Sequence, residues 1–354
     1  MARRPGAGLK QVWSIQYLRA VAALGVVLYH AFESTPQKFG VGAAGVDIFF
    51  VISGFIMASL IARPDATAGD FLWRRLVRIV PLYWAVTIAV LAIAWIKPAF
   101  FYRVDPSLDN ALLSFLFVPH TSATGGVTPV LWQGWTLEYE MFFYALCTAA
   151  LALLARNRLV YVAGALLLLV GIGLVLAPSG SVAQVYTNPL LLEFIAGIGL
   201  ATAWSKGRMP HPAIGVASLI AGFALYAVEQ GGLLPLTGQR AIDWGIPAML
   251  IVAGALTLEA RGGFAHSKVG LLLGDASYAL YLTHTFVVSA FLWFFAHAPD
   301  WLRVLGCVAG ALSLGLLTHL YIERPLMRFA RSFTPLRARA PRTPQPTSSP
   351  RSAD

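Results

Sequence analysis

The chain has 354 residues, of which 58% are hydrophobic and 12% charged, and its mean hydropathy is +0.69. These values lie outside the usual range of soluble globular domains and predict an all-α integral membrane protein. The formal net charge of +10 would suit a nucleic-acid partner, but the basic residues lie mainly in short segments between apolar stretches, which indicates membrane topology and no nucleic acid.

Ten apolar stretches approach the roughly 20 helical residues needed to cross the hydrocarbon core. If the N-terminus is cytoplasmic, Lys and Arg concentrate in the segments on that side, so both termini are predicted to be cytoplasmic. The sequence therefore predicts a bundle of about ten transmembrane helices, near residues 12–33, 41–62, 79–97, 133–155, 159–177, 187–204, 212–229, 242–259, 270–295 and 303–321.

Two regions follow from this pattern. Residues 1–332 form the predicted membrane-embedded domain, whose first apolar stretch is too long for the core of a signal peptide. Residues 333–354 are rich in Pro, Ser and Arg and have little to bury, so we predict a disordered basic tail in contact with membrane lipid.

The first span carries a cation and an imidazole, Arg19 and His30, eleven positions apart. On an ideal helix they share one face and are separated by a rise of about 16 Å. Arg19 is expected towards the cytoplasm and His30 near the outer end. The alternatives are an arginine that snorkels to the interface and a histidine that bonds to water or headgroups.

The second span contains Asp47, a carboxylate that is costly in a membrane without a partner. The nearest candidate is His30, at a comparable depth on the adjacent helix. An Asp that orients a His forms half of a general-base dyad. A structural hydrogen bond within the bundle is the alternative.

Next, Arg74, Arg75 and Arg78 are predicted to lie in a cytoplasmic loop, with Pro81 in the first turn of the third span. Arg75 and Arg78 are three residues apart, so on a helix they point the same way and could clamp a phosphate or pyrophosphate. A topology signal held by lipid phosphates is the alternative.

A long outer loop, residues 98–132, is a candidate acceptor-binding element or a lid without substrate contacts, and its "ALLSFLFVP" predicts a short re-entrant or interfacial helix. Glu138 and Glu140 follow at the start of the fourth span. Because they are two residues apart they face different ways, so one is expected to point into the bundle and they are not expected to act as a carboxylate pair.

Ser277, Tyr281 and His284 share one face of the ninth span and either line a path or bond between helices. At the end of the tenth span, Glu323 is expected to pair with its neighbour Arg324. No motif indicates a metal site, a phosphate loop or a Ser-His-Asp triad, so no metal cofactor is predicted. These residues alone fit either a transporter or a membrane-embedded transferase.

Six motifs, taken in chain order, resemble those of the membrane acyltransferase-3 family, particularly its exopolysaccharide O-acetyltransferase (ExoZ-like) group. They are Arg19-x10-His30, "GVDIFFVISGFIM", "RRLVRIVPLYW", "WTLEYEMFFY", "SYALYLTH" and "YIERPL". The resemblance covers residues 10 to 330. It implies a ten-helix enzyme of the cell inner (plasma) membrane that moves an acyl group, usually acetyl, from cytoplasmic acetyl-CoA to a sugar hydroxyl of an exported polysaccharide or glycolipid.

The resemblance also implies roles for the candidate residues. His30, oriented by Asp47 or Glu140, is expected to deprotonate the acceptor hydroxyl or to receive the acyl group. Arg75 and Arg78 are expected to bind the coenzyme A phosphates, and Arg19 to line the path of the acylated arm. The remaining substrate-binding candidates are Ser277, Tyr281 and His284. Association with polysaccharide synthesis or export machinery is expected. The competing readings are a transporter or flippase of glycan intermediates without acyl chemistry, and a structural partner in an export complex.

Overall fold

The computed structural model describes residues 12–33, 35–101, 104–233 and 237–333, and within them all long regular elements are helices. Apart from Phe333, the predicted tail lies outside the described residues. The α-helices are α1 Trp13–Phe32, α2 Gly45–Ile61, α3 Ala68–Ile96, α4 Leu108–Phe115, α5 Trp135–Leu153, α6 Arg158–Leu176, α7 Ser181–Tyr186, α8 Leu191–Ser205, α9 Pro212–Gln230, α10 Arg240–Asp243, α11 Gly245–Ala260, α12 Lys268–Phe294, α13 Asp300–Thr318 and α14 Arg324–Ser332.

Nine helical stretches in this part of the chain are long and apolar enough to cross a membrane. They confirm the predicted multi-pass helical bundle. The predicted span at 133–155 is present as α5, a 19-residue helix packed between α2, α3 and α6. It is not one of the nine, because the glutamates and other polar residues of its first turns lower its hydropathy.

The third span differs most from its prediction. Helix α3 begins at Ala68 and runs for 29 residues, so the arginines predicted for a loop lie in its first three turns and Pro81 lies in its interior. A helix of this length measures about 44 Å, well beyond the roughly 30 Å hydrocarbon core. The arginine-bearing turns can therefore extend to the membrane surface without a break in the helix.

Helix α2 forms the centre of the bundle, with 13 of its 17 residues buried. Small residues allow α8 to approach it closely: a Cβ on Gly54 would lie 2.2 Å from the Phe194 carbonyl oxygen, and one on Gly197 would lie 2.2 Å from that of Val51. Such contacts are typical of membrane helix pairs. By contrast, only 17% of the residues in the apolar stretches of α6 and α9 are buried, so these two helices lie at the periphery of the bundle.

Candidate active site

A cavity of about 150 Å³ opens between α1, α2, α3, α5 and α12. Its wall is largely apolar and aromatic, but it also contains six of the nine residues expected from the sequence to be catalytic or substrate-binding. These six are Arg19, Arg75, Arg78, Glu140, Ser277 and Tyr281. Four helices, α1, α3, α5 and α12, thus bring these six residues to one place.

Arg75 and Arg78 line the same cavity, as their three-residue spacing predicts, whereas Arg74 does not line it. The Arg74 side chain is 71% exposed, with its Nη2 atom 4.0 Å from Asp70 Oδ2. The Nε atom of Arg75 is buried and has no hydrogen-bond partner among the described residues. Arg19 donates to Gln16 Oε1 at 3.3 Å. Arg19 and Arg75 therefore bring positive charge to the cavity that no close ion pair neutralises in the described structure.

Glu140 supplies the carboxylate of the cavity wall, and its Oε2 accepts a hydrogen bond of 2.7 Å from Ser53 Oγ. Glu138 does not line the cavity: its side chain is buried elsewhere, and neither carboxylate oxygen has a partner among the described residues. The two glutamates face different ways, as predicted.

Arg78 is fixed by a contact that the sequence reading missed. Its Nη1 donates to Glu323 Oε1, while Glu323 Oε2 lies 2.7 Å from His319 Nδ1. A π-helical turn, His319–Glu323, joins α13 to α14 and carries both of these residues. The predicted pairing of Glu323 with Arg324 is therefore wrong, because the carboxylate faces the bundle and α3.

His30 is buried at the far end of α1 from Arg19 and lies among aromatic rings. The centroid of its ring is 5.5 Å from that of Trp132, which packs edge-on, and 5.1 Å from that of His284. Its Nδ1 atom is 3.4 Å from Glu33 Oε2. No hydrogen bond in the described structure joins it to Asp47 or Glu140, the two orienting carboxylates expected from the sequence.

His284 has its Nδ1 atom 2.7 Å from the backbone carbonyl oxygen of Tyr281, whereas its buried Nε2 has no partner among the described residues. The Tyr281 hydroxyl donates to the Gln133 carbonyl oxygen at 3.0 Å and also contacts Thr136 Oγ1. Tyr281 lines the cavity and its ring centroid is 6.1 Å from that of His284. It therefore connects the cavity wall to the histidine pair. Ser277 Oγ bonds within its own helix, to the Gly274 carbonyl oxygen.

Asp47 has a different partner from the one predicted. Arg240 holds it with two hydrogen bonds, Nε to Oδ1 at 3.1 Å and Nη2 to Oδ2 at 2.8 Å. The guanidinium also lies over the rings of Trp135 and Trp244, at 5.5 and 4.5 Å. The expected pairing of Asp47 with His30 is wrong, because an arginine from a distant segment, absent from the sequence argument, neutralises the carboxylate.

The short helix predicted in the loop of residues 98–132 corresponds to α4, which begins three residues before the "ALLSFLFVP" segment and ends within it, and whose Asn110 lies against His120. Burial raises the pKa of Asp105, but hydrogen bonds from the backbone N–H groups of Ala123 and Ser107 outweigh it and hold the pKa below its usual value. The loop is therefore tied together internally. It ends at Trp132, against the His30 ring.

No group of three or more His, Cys, Asp or Glu residues in the described ranges is arranged to hold a metal ion. The chemistry available in these ranges is a cavity with cationic side chains, one carboxylate and, past Tyr281, two imidazoles. Such a site can bind an anionic ligand and accept protons.

The acyltransferase 3 family model, described as an acyltransferase domain, matches residues 12–320. Exopolysaccharide production protein ExoZ of Rhizobium meliloti (strain 1021) is 40% identical over 314 residues, which are 86% of this chain and 96% of that protein. Peptidoglycan O-acetyltransferase OatA of Listeria monocytogenes serovar 1/2a (strain ATCC BAA-679 / EGD-e) is 27% identical over 228 residues, or 56% of this chain. Putative peptidoglycan O-acetyltransferase YrhL of Bacillus subtilis (strain 168) is 25% identical over 352 residues, or 87% of this chain. The matches cover 35% and 54% of these last two proteins. No solved structure matches the chain.

Proposed function

Because the chain belongs to the acyltransferase 3 family and is a membrane O-acyltransferase, we propose that it moves an acetyl group from acetyl-CoA to a sugar hydroxyl of an exported polysaccharide or glycolipid. The observation that carries the proposal is the arrangement of the site. Tyr281 lines the arginine-bearing cavity, its ring centroid is 6.1 Å from that of His284, and the His284 ring is in turn 5.1 Å from that of His30.

The cavity suits the donor. Coenzyme A carries several phosphate groups, and guanidinium groups bind phosphate through paired charge-assisted hydrogen bonds. Arg19 and Arg75 are available for such contacts, while Arg78 presents a guanidinium already fixed by Glu323. The rise of about 16 Å between Arg19 and His30 is of the same order as a pantetheine arm, so the thioester can approach His30 without a second carrier.

His30 suits the chemistry at the other end. A carboxylate only accepts hydrogen bonds, so the contact with Glu33 favours the proton on Nδ1 of a neutral His30 and leaves Nε2 as a base or nucleophile. Of the carboxylates considered, Glu33 takes the orienting role expected of Asp47 or Glu140. General-base catalysis contributes about 10²- to 10⁴-fold to a rate.

The acceptor is proposed from the ExoZ relative, which is described as an exopolysaccharide production protein. In this proposal the acceptor reaches His30 beside Trp132 and the loop of residues 98–132. In the same proposal the enzyme lies in the cell inner membrane with the arginines towards the cytoplasm, where acetyl-CoA is available, an orientation that the distribution of Lys and Arg supports.

The test is transfer by purified protein in liposomes, with acetyl-labelled acetyl-CoA on the arginine side and the polysaccharide of the source organism on the other. We expect label in the glycan. His30→Ala should reduce the rate by about 100-fold or more while the protein remains folded by its melting temperature. His297→Ala, at an exposed histidine, is the control. Acetylation retained by His30→Ala would exclude the proposed role, and glycan movement without label would indicate a flippase.

A further inference from the structure

The site contains two imidazoles, whereas direct transfer from the thioester to a hydroxyl needs one base. The ring centroids of His30 and His284 are 5.1 Å apart. At His284 the partner of Nδ1 is a backbone carbonyl, which can only accept, so Nδ1 carries the proton and Nε2 keeps a lone pair. The Glu33 carboxylate, 3.4 Å from His30 Nδ1, favours the same tautomer there.

The lone pair on His284 Nε2 is energetically unfavourable in its buried position. Its Nε2 is buried and has no partner among the described residues. An unsatisfied buried polar atom costs about 1 to 3 kcal/mol, so a side chain with only a packing role would be better replaced by an apolar one. The Nδ1 contact is made to the backbone of its own helix and connects no two elements. Packing alone therefore does not account for His284.

We propose that the two imidazoles divide the reaction into two steps, with His30 as the acyl carrier and His284 as the general base of the second step. His30 is the carrier because its side chain is 10% exposed, whereas His284 is fully buried. This proposal rests on the proposed function, since it assumes a thioester donor and a hydroxyl acceptor.

In the first step the His30 Nε2 lone pair forms a bond to the thioester carbonyl carbon. The C–S bond breaks, and the sulfur leaves with the bonding electrons as the coenzyme A thiolate. The resulting acyl-imidazolium keeps its Nδ1 proton, and the Glu33 carboxylate offsets its positive charge. Histidine is one of the side chains that can form a covalent intermediate.

In the second step the acceptor hydroxyl oxygen bonds to the acyl carbon and its proton passes to His284 Nε2. The C–N bond breaks, and its electrons return to His30. His284 then gives the proton to the thiolate through water, so that the sum is thioester plus alcohol to ester plus thiol. His30 cannot serve as the base here because its Nε2 carries the acyl group, which is why a second lone pair is required.

The experiment uses full-length protein in liposomes with acetyl-labelled acetyl-CoA. Without glycan, the wild type should release up to one equivalent of coenzyme A thiol and retain one acetyl group, which peptide mass spectrometry should locate on His30. His30→Asn should retain none. His284→Asn keeps an amide N–H near Nδ1 but removes the acceptor at Nε2. It should accumulate acetyl-enzyme even with glycan present, while transfer falls about 100-fold or more.

Three outcomes would overturn the relay. They are wild-type transfer to glycan with no acetyl-enzyme formed in its absence, an acetyl group found at a residue other than His30, and wild-type turnover by His284→Asn. The wild-type experiment decides the first step even if His284→Asn does not fold. Failure of the proposed function is distinguishable, because then the wild type itself would transfer no label to glycan.

Discussion

The contrast between two adjacent arginines tests the donor site most directly. Arg75 lines the cavity with a buried Nε that has no partner in the described structure, whereas Arg74 is 71% exposed and only 4.0 Å from a carboxylate oxygen of Asp70. Both are arginines on α3, so they match in charge and in helix. Replacing each with glutamine removes one positive charge from nearly the same place in the sequence.

The structure sets the expected magnitudes. A hydrogen bond to a charged group contributes about 1.5 to 3 kcal/mol, and each 1.4 kcal/mol is tenfold in affinity, so Arg75→Gln should raise the Kd for coenzyme A about 10- to 100-fold. An exposed ion pair is worth about 0 to 1 kcal/mol. Arg74→Gln should therefore change the Kd by less than about threefold, through long-range electrostatics that salt screens.

Isothermal titration calorimetry of the purified protein in detergent measures both affinities. S-Acetylpantetheine, which lacks the phosphates, is the second ligand, and its binding should be the same in Arg75→Gln as in the wild type. Equal losses in the two variants would refute the assignment of Arg75 to the phosphates. A loss for the phosphate-free donor as large as that for coenzyme A would refute it as well.

Three further substitutions test the structure around the site. Gly197→Ala should lower the melting temperature or prevent assembly, because its Cβ would lie 2.2 Å from a backbone oxygen and overpacking costs about 1 to 3 kcal/mol. The control, Gly199→Ala, has no neighbour within 4 Å and should melt like the wild type. Equal melting curves for the two variants would contradict the close approach of the helices. Asp47→Asn leaves Arg240 without its carboxylate and should destabilise the fold by about 3 kcal/mol. The protein that remains folded should still bind the donor. Unchanged melting together with lost turnover would instead support a catalytic role for Asp47. Tyr281→Phe removes the buried hydrogen bonds of the hydroxyl with the Gln133 carbonyl oxygen and Thr136 Oγ1, so it should cost about 1 to 3 kcal/mol of stability with donor Kd unchanged. A changed Kd would show that the hydroxyl contacts the donor.

Local sequence patterns were sufficient for the helical fold and for part of the site. The apolar stretches predicted the spans because a helix must be apolar over about 20 residues to cross the membrane, whatever packs beside it. The spacing of Arg75 and Arg78 predicted a shared face, and the two-residue spacing separated Glu140 from Glu138, because helical periodicity fixes direction.

Partners across the bundle could not be predicted in this way. Asp47 pairs with Arg240 over a separation of 193 residues, and Arg78 with Glu323 over 245. Helix adjacency and chain proximity predict only nearby partners, which are His30 for Asp47 and Arg324 for Glu323. Because a charge within the membrane is costly, the sequence indicates that each of these carboxylates has a partner, but it does not indicate which residue the partner is.

The sequence by itself determined a polytopic helical protein, the resemblance to a family of acyltransferases, and the line of one helix face from Arg19 to His30, because hydropathy and helical period are local properties. Only the tertiary structure decided which groups meet. It joined three arginines from two helices at one cavity, gave Asp47 and Arg78 their partners, and set His284 beside His30. The physical reason is that a buried charge or lone pair finds its partner on whichever helix packs against it. Helix packing in turn depends on contacts along the whole bundle, such as the glycine contacts between α2 and α8.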